Sequence, residues 1–350
     1  MLYSRTDSLG SNDGNLWEIG VNARTGAPTD KPKRITRWAG SDLWGLSASA
    51  DGKRLAVLKR TYQSQVYVGE LTAGGTRMKL PRRLTNDEAN EEPTAWTPDS
   101  KAVLFQSDRN GALGIFRQGI SQDTAEPVVS GSRGADDPRL SGDAAWILYQ
   151  EAPNTGPSTP VALLRIPVNG GAPQRVLEMR NDSDYHCARA PASLCVLREV
   201  SRDEKQLTLT AFDPLKGRAK VLRTIQKSPA DFFGGTLSPD GTTFAISKAW
   251  EAEIHIRLLS LSGGSDRGIM LRGWPNVSGL DWAPDGRAFY VGSGSPQGET
   301  LLYADLKGNA KVLWQFKGAF GTWGVPSPDG RYLAIRGLAS NSNVWMLEGF

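Results

Sequence analysis

Histidine is scarce: His186 and His255 are the only two in 350 residues, and Cys187 and Cys195 are the only cysteines. A hydrolase of the serine or cysteine type needs a nucleophile on a turn and a histidine base. No Gly-x-Ser-x-Gly occurs, nor a Gly-x-x-x-x-Gly-Lys-Ser/Thr phosphate loop, nor a dinucleotide fingerprint. Catalysis is not expected, and no cofactor is implied. His255 alternates with Ile254 and Ile256 and so points from a solvated strand face. His186 sits beside Cys187, but one histidine and two cysteines do not complete a four-ligand zinc site. No metal is expected. No run approaches 18 consecutive apolar residues, so no helix of this sequence spans a membrane. The opening Met1-Leu2-Tyr3-Ser4-Arg5 lacks the apolar core and cleavage site of a secretory signal. Neither sign of charge dominates, with 41 basic against 37 acidic residues. The densest basic group, Lys31 to Arg37, reads as a solvated edge strand, and no nucleic-acid surface is expected.

What is abundant is glycine (39), proline (21) and tryptophan (11), a composition that suits short strands and many turns. Ser327-Pro328-Asp329-Gly330 is a tight turn feeding the apolar strand Tyr332-Leu333-Ala334-Ile335. Proline fixes φ, aspartate bonds its own backbone, and glycine takes the left-handed position. The phrase recurs as Ser238-Pro239-Asp240-Gly241 and Ala283-Pro284-Asp285-Gly286, and more weakly as Thr97-Pro98-Asp99-Ser100, Ala50-Asp51-Gly52 and Ser141-Gly142-Asp143. The gap between Asp143 and Asp240 is about twice the others, which predicts a degenerate copy near Ala190-Pro191-Ala192-Ser193. A repeat of this period overrides a domain count taken from length.

Each repeat reads as four short strands, for example Glu92–Trp96, Ala102–Gln106, Leu113–Arg117 and Pro127–Val129. Four antiparallel strands of this length make one propeller blade. The expected fold is an all-β propeller of four-stranded antiparallel blades, seven favoured over eight, forming a single domain over residues 1–350. The chain opens inside a repeat, with Leu2-Tyr3-Ser4 matching a second strand, and closes with Asn343–Leu347 as a third. Ring closure would pair the C-terminal strands with an N-terminal fourth, and the mid-blade start suggests the C-terminal part of a longer polypeptide.

The strand after the turn phrase, the loop Asp108-Arg109-Asn110-Gly111 and the strand Arg82-Arg83-Leu84-Thr85 resemble the WD-like repeats of the TolB family, propellers of the bacterial cell envelope. The resemblance runs along nearly the whole chain and implies a fold more firmly than a function. The tail Asn341–Phe350 and the segment Cys187–Val196 resemble, more narrowly, the C-terminal propeller of bacterial signalling proteins that carry a winged-helix or Ser/Thr-kinase domain ahead of it. In those proteins the propeller is a sensing or docking module. Neither effector domain is present here, so DNA binding and kinase activity are carried over onto no residue.

Cys187 and Cys195 flank a turn centred near Pro191, which sets them opposite each other across adjacent strands. A disulfide is expected there, with two buried free thiols as the alternative, and it favours a periplasmic or extracytoplasmic location over a cytoplasmic one. Acidic residues gather in the loops that lead into each first strand: Asp87, Glu88, Glu91 and Glu92, then Asp136 and Asp137, then Asp182 and Asp184, then Asp231. Equivalent loops share one face, so Glu91, Glu92, Asp136, Asp137, Asp182, Asp184 and Asp231 form a candidate rim for a protein or small-molecule ligand, a basic peptide or a cation; the alternative is that acidic residues simply suit turns. Tryptophans 38, 44, 96, 146, 282 and 323 lie near strand starts and are expected between neighbouring blades. The long loops Ala152–Pro160 and Gly292–Glu299 are where partner contacts usually sit. The expected function is a non-catalytic ligand- or protein-binding sensory or scaffold propeller of a bacterial envelope signalling protein. The rivals are the substrate-gating propeller of a prolyl-oligopeptidase-like enzyme and a stand-alone TolB-like periplasmic scaffold.

Overall fold

Strand alternation sets the packing. In Ile254–Ser260, Ile254, Ile256 and Leu258 turn inward while His255 stays exposed, as expected from its neighbours. Ala288–Ser295 is buried at every position but the last, because a second strand has sheet on both sides and further sheets above and below. The computed structural model describes residues 1–6, 14–38, 40–131, 134–151, 159–180, 183–318 and 321–348, and they contain strands and turns with no helix among them. The chain divides into two compact units, Ser64–Leu338 and Met1–Gln63 with Ala339–Phe350.

Within Ser64–Leu338, five four-stranded antiparallel sheets follow one another in the chain. Blade one is Glu91–Trp96, Ala102–Ser107, Gly114–Gly119 and Glu126–Val129. Blade two is Ala135–Leu140, Trp146–Glu151, Val161–Pro167 and Gln174–Met179. Blade three is Asp184–Cys187, Cys195–Val200, Gln206–Asp213 and Gly217–Gln226. Blade four runs from Phe233–Leu237 to Arg267–Leu271, and blade five from Val277–Trp282 to Ala310–Phe316. Blade six is assembled from both ends of the unit: Gly324–Pro326 and residues 332–338 from one, residues 64–72 and Arg82–Arg83 from the other. Leu71 N donates to Arg331 O at 2.7 Å, and Tyr67 packs beside Gly337.

Six hydrophobic clusters hold this unit together, and each lies between two neighbouring blades. Leu104, Ile115, Ile147 and Tyr149 join blades one and two, Leu163, Tyr185 and Leu197 blades two and three, and Val196, Leu209, Phe244 and Ile246 blades three and four. Ile256, Trp282 and Phe289 join four and five; Tyr290, Leu301, Leu333 and Ile335 join five and six. Val66, Phe105, Val325 and Ala334 then join six back to one, and the ring is closed. No blade hides its apolar faces alone, which is why the repeat folds only as a set. Three of the tryptophans expected between blades are there, Trp96 Nε1 donating to Val325 O at 2.8 Å, Trp323 Nε1 to Pro93 O at 2.9 Å and Trp282 Nε1 to Thr236 O at 3.3 Å, whereas Trp44 is exposed and Trp38 packs against Trp345.

In the other unit, Leu2–Thr6, Gly14–Glu18 and Lys33–Arg34 form a three-stranded sheet around Leu16. Asn15 is buried there and satisfied by Trp38 N and O and by Thr36 Oγ1. Asp42–Ala48 pairs with residues 55–60, and Lys59 lies about 5 Å from the rings of both Trp38 and Trp345.

The all-β propeller of four-stranded antiparallel blades is the fold read from the sequence. Among the described residues there are seven sheets, the number favoured there, and six of them supply the ring of Ser64–Leu338. Strand assignments differ in two places. Residues 55–58 and 65–68, which the four-strand repeat would make a second and a third strand, belong to one strand, Arg54–Thr72. Residues 332–335 and 343–347 likewise share Tyr332–Glu348. In the first case Lys59-Arg60-Thr61-Tyr62-Gln63-Ser64 joins the two segments with no glycine, proline or aspartate to turn the chain.

Candidate functional site

The six first strands surround the axis of the Ser64–Leu338 ring, each next to the following one. Their chain direction gives the channel two unlike ends. At the N-terminal ends lie the acidic loops read from the sequence. At the C-terminal ends lie the tight turns, one from each blade.

The acidic end is internally neutralised. Glu91 is fully buried and ion-paired with Arg109, which also meets Asp87 at 3.1 Å and lies over the Phe105 and Phe116 rings. Burial pushes the Glu91 carboxyl up to about 7, with Asp87 adding to it and Arg109 opposing. Glu92 is ion-paired with Arg336 and accepts from Gln106 Nε2 at 3.0 Å; burial still raises its pKa. Asp137 meets Arg139 at 3.2 Å. Asp184 takes Arg198 Nε at 2.8 Å on each oxygen; burial works against the charge, but Arg198 and then His186 hold the carboxyl well below the usual range. Asp231 meets Lys248 at 2.9 Å, whose hydrogen bond lowers its pKa. Asp136 differs: its Oδ1 is buried without a hydrogen-bond partner, and burial, followed by Asp137 and Glu92, pushes it up to about 7. Asp182 lies outside the described residues. The sequence placed these carboxylates on one end of the channel but missed Arg109, Arg139, Arg198 and Arg336, which come from different strands and loops. Glu299, buried and taking Ser278 Oγ at 2.7 Å, was also missed.

The turn end opens into a cavity of about 1160 Å³ to which all six blades contribute, from Trp96 and Pro98 of blade one to Val325 and Pro328 of blade six. Its ionisable lining comprises Arg139, His186, Arg189, Asp240, Arg267, Asp281 and Asp285. The turn aspartates are used locally. Asp240 accepts from Ser238 Oγ at 2.6 Å and Thr242 N at 3.0 Å, and Asp285 from Arg287 N at 3.0 Å. Asp281 accepts from Trp282 N at 2.8 Å and Thr236 Oγ1 at 3.3 Å. Cys187 and Cys195 face each other across blade three with Cα atoms 4.0 Å apart and their sulfurs joined. The sequence singled out His186, Cys187, Trp96, Trp282 and the turn phrases of this lining, but for other roles, and it missed Arg139, Arg189, Arg267 and Asp281. The signal that could have found them is the missing turn phrase in blade three.

No family model matches the chain, and no curated protein matches it in sequence. Solved structures do resemble it. A putative TolB from Agrobacterium tumefaciens is 19% identical with a TM-score of 0.61, over 79% of this chain and 99% of that one. TolB from Acinetobacter baumannii is 12% identical with a TM-score of 0.55, over 97% and 82%. A chain of a nidogen–laminin complex is 11% identical with a TM-score of 0.51, over 79% and 98%. At these identities the likeness shows a TolB-like propeller fold and nothing narrower.

Proposed function

We propose that this TolB-like propeller is a non-catalytic binding module, a sensory or scaffold part of a bacterial envelope protein, and that its ligand occupies the turn end of the central channel. The observation that carries the reading is the cavity: about 1160 Å³, walled by one turn from each of six blades of a closed ring. Concave sites with a few convergent polar groups are where propeller-sized scaffolds bind. The opposite end is the weaker candidate, because Glu91, Glu92, Asp137, Asp184 and Asp231 each already hold a basic partner. The Cys187–Cys195 pair supports an extracytoplasmic location, since disulfides persist in oxidising compartments.

The test is photo-cross-linking in the native host, with p-benzoylphenylalanine at Ser265 on the cavity wall or at Glu88 on the opposite end. An intact-mass adduct from Ser265 and none from Glu88 is the expected result. Adducts from Glu88 alone, or from neither position, would overturn the reading.

A further inference from the structure

Blade three breaks the pattern of the other blades where it meets the cavity. In blades one, two, four and six a Ser or Thr hydroxyl donates to the turn aspartate: Thr97 to Asp99 at 2.7 Å, Ser141 to Asp143, Ser238 to Asp240 at 2.6 Å and Ser327 to Asp329 at 2.7 Å. Blade five keeps the aspartate, Asp285, without the hydroxyl. Blade three has neither. Its turn is closed by Ala188 N on Leu194 O at 2.8 Å and Ala192 N on Arg189 O at 2.9 Å, and it brings Arg189 to the cavity wall.

Arg189 is held in place by its main chain, whose N–H donates to Pro239 O at 2.8 Å. Its guanidinium makes no hydrogen bond or ion pair among the described residues, and Nη1 is shut off from solvent without an acceptor. The nearby charge of Asp281 opposes the lowering of the Arg189 pKa by burial, but that carboxylate is engaged by Trp282 and Thr236. On the strand feeding the turn, His186 is only 6% exposed. Arg139 Nη1 lies 3.3 Å from His186 Nδ1; a guanidinium can only donate, so Nδ1 accepts and Nε2 carries the hydrogen. That Nε2 has no hydrogen-bond partner, since the nearest Asp184 oxygen is 3.7 Å away. An arginine Nη1 with no acceptor, and an imidazole N–H whose nearest acceptor stands beyond hydrogen-bond distance at 3.7 Å, therefore share the wall of one cavity, against the rule that buried polar groups are satisfied.

We infer that the cavity takes a small organic anion, a carboxylate or a phosphate ester, whose charged end sits on the Arg189 guanidinium with His186 as the second donor. The groups left over on both, the Arg189 guanidinium N–H and the His186 Nε2–H, are donors, so their complement is a group that only accepts. Guanidinium meets carboxylate and phosphate through paired N–H···O bonds. The inference rests on the cavity being the binding site and adds the chemistry of what enters it.

The test is calorimetric titration of the 350-residue chain with inorganic phosphate and with succinate, separately, with succinamide as the uncharged control. Saturable binding of at least one anion, none of succinamide, and a loss of about tenfold or more in Arg189→Gln with partial recovery in Arg189→Lys are expected. Without anion, Arg189→Gln should melt above the wild type, because it removes a buried guanidinium that has no hydrogen-bond acceptor; a merely structural arginine would give a lower melting temperature. His186→Gln, expected to weaken binding several-fold, is the second variant should Arg189→Gln not fold. Equal anion binding by wild type and variants, meaning an adventitious ion only, overturns the inference, as does no saturable binding of either anion. A Ser265 cross-link that persists without anion binding would sink this inference and leave the cavity reading standing.

Discussion

At the residue scale the acidic end of the channel carries a pH dependence whose sign follows from burial. Asp136 and Glu91 are each pushed up to about 7, and Glu92 and Glu299 are raised as well. A carboxyl whose folded pKa is raised holds its proton longer in the folded state. Its contribution is complete below the unfolded pKa, near 4, and is lost as pH rises through about 7. Asp184 has the opposite sign, with stability lost only as pH falls toward its depressed folded value, so it is silent across this window. Unfolding free energy is therefore expected to fall between pH 5 and pH 8. Asp136→Asn removes the carboxylate with the unpartnered oxygen, and should flatten that slope and add about 1–3 kcal/mol at pH 8. Urea titrations at pH 5, 6, 7 and 8 measure both quantities. Identical slopes in wild type and variant would show that Asp136 is not the group responsible. The sequence showed where these carboxylates gather but not their charge state, which depends on partners such as Arg109 and Arg336, 18 and 244 residues away from Glu91 and Glu92.

At the scale of the element, the first turn of every blade but the third is a local device. Asp99 Oδ1 takes the Thr97 hydroxyl and Lys101 N, and the fourth turn residue must be left-handed. Gly241, Gly286 and Gly330 sit there at φ 73°, 68° and 69°, while blade two puts Ala144 there at φ 57°. An alanine Cβ costs roughly 1 kcal/mol in that region and glycine does not. Ala144→Gly is expected to raise stability by about 0.5–1 kcal/mol, read as a higher urea midpoint with an unchanged m-value. The reverse change, Gly241→Ala, should cost more than Ala144→Gly gains. Its Cβ would stand 3.2 Å from Ala188 Cβ and 3.3 Å from Leu194 Cβ, which the neighbouring turn must give way to admit. These turns were legible because the bonds that close them, hydroxyl to aspartate and aspartate to the following N–H, span five residues or fewer. The third turn was legible only as a gap in the repeat, and Arg189 gains its meaning from blade four, where Pro239 holds its main chain, and from blade five, where Asp281 stands.

At the scale of the whole molecule, cooperativity in Ser64–Leu338 follows from the six inter-blade cores. Residues 64–338 expressed alone contain both halves of blade six and are expected to unfold in urea as one transition by tryptophan fluorescence. A chain ending at residue 323 loses Gly324–Pro326 and the strand from Tyr332 onward, and with them the Val325 carbonyl that Trp96 Nε1 uses. It should show no cooperative transition. A sharp, wild-type-like transition in that truncation would mean that ring closure does not govern stability.

The sequence by itself determined the blade. A period near 45, the turn phrase and strand alternation are short-range signals, and they fix four antiparallel strands and the direction in which each first strand runs. Tertiary structure decided which strands share blade six and which cation answers each carboxylate. It also decided that the odd turn of blade three stands at a cavity with its arginine unanswered. Hydrogen bonds within a turn are specified by neighbours in the chain. The fit of one blade's side chains against the next is specified only when the ring closes.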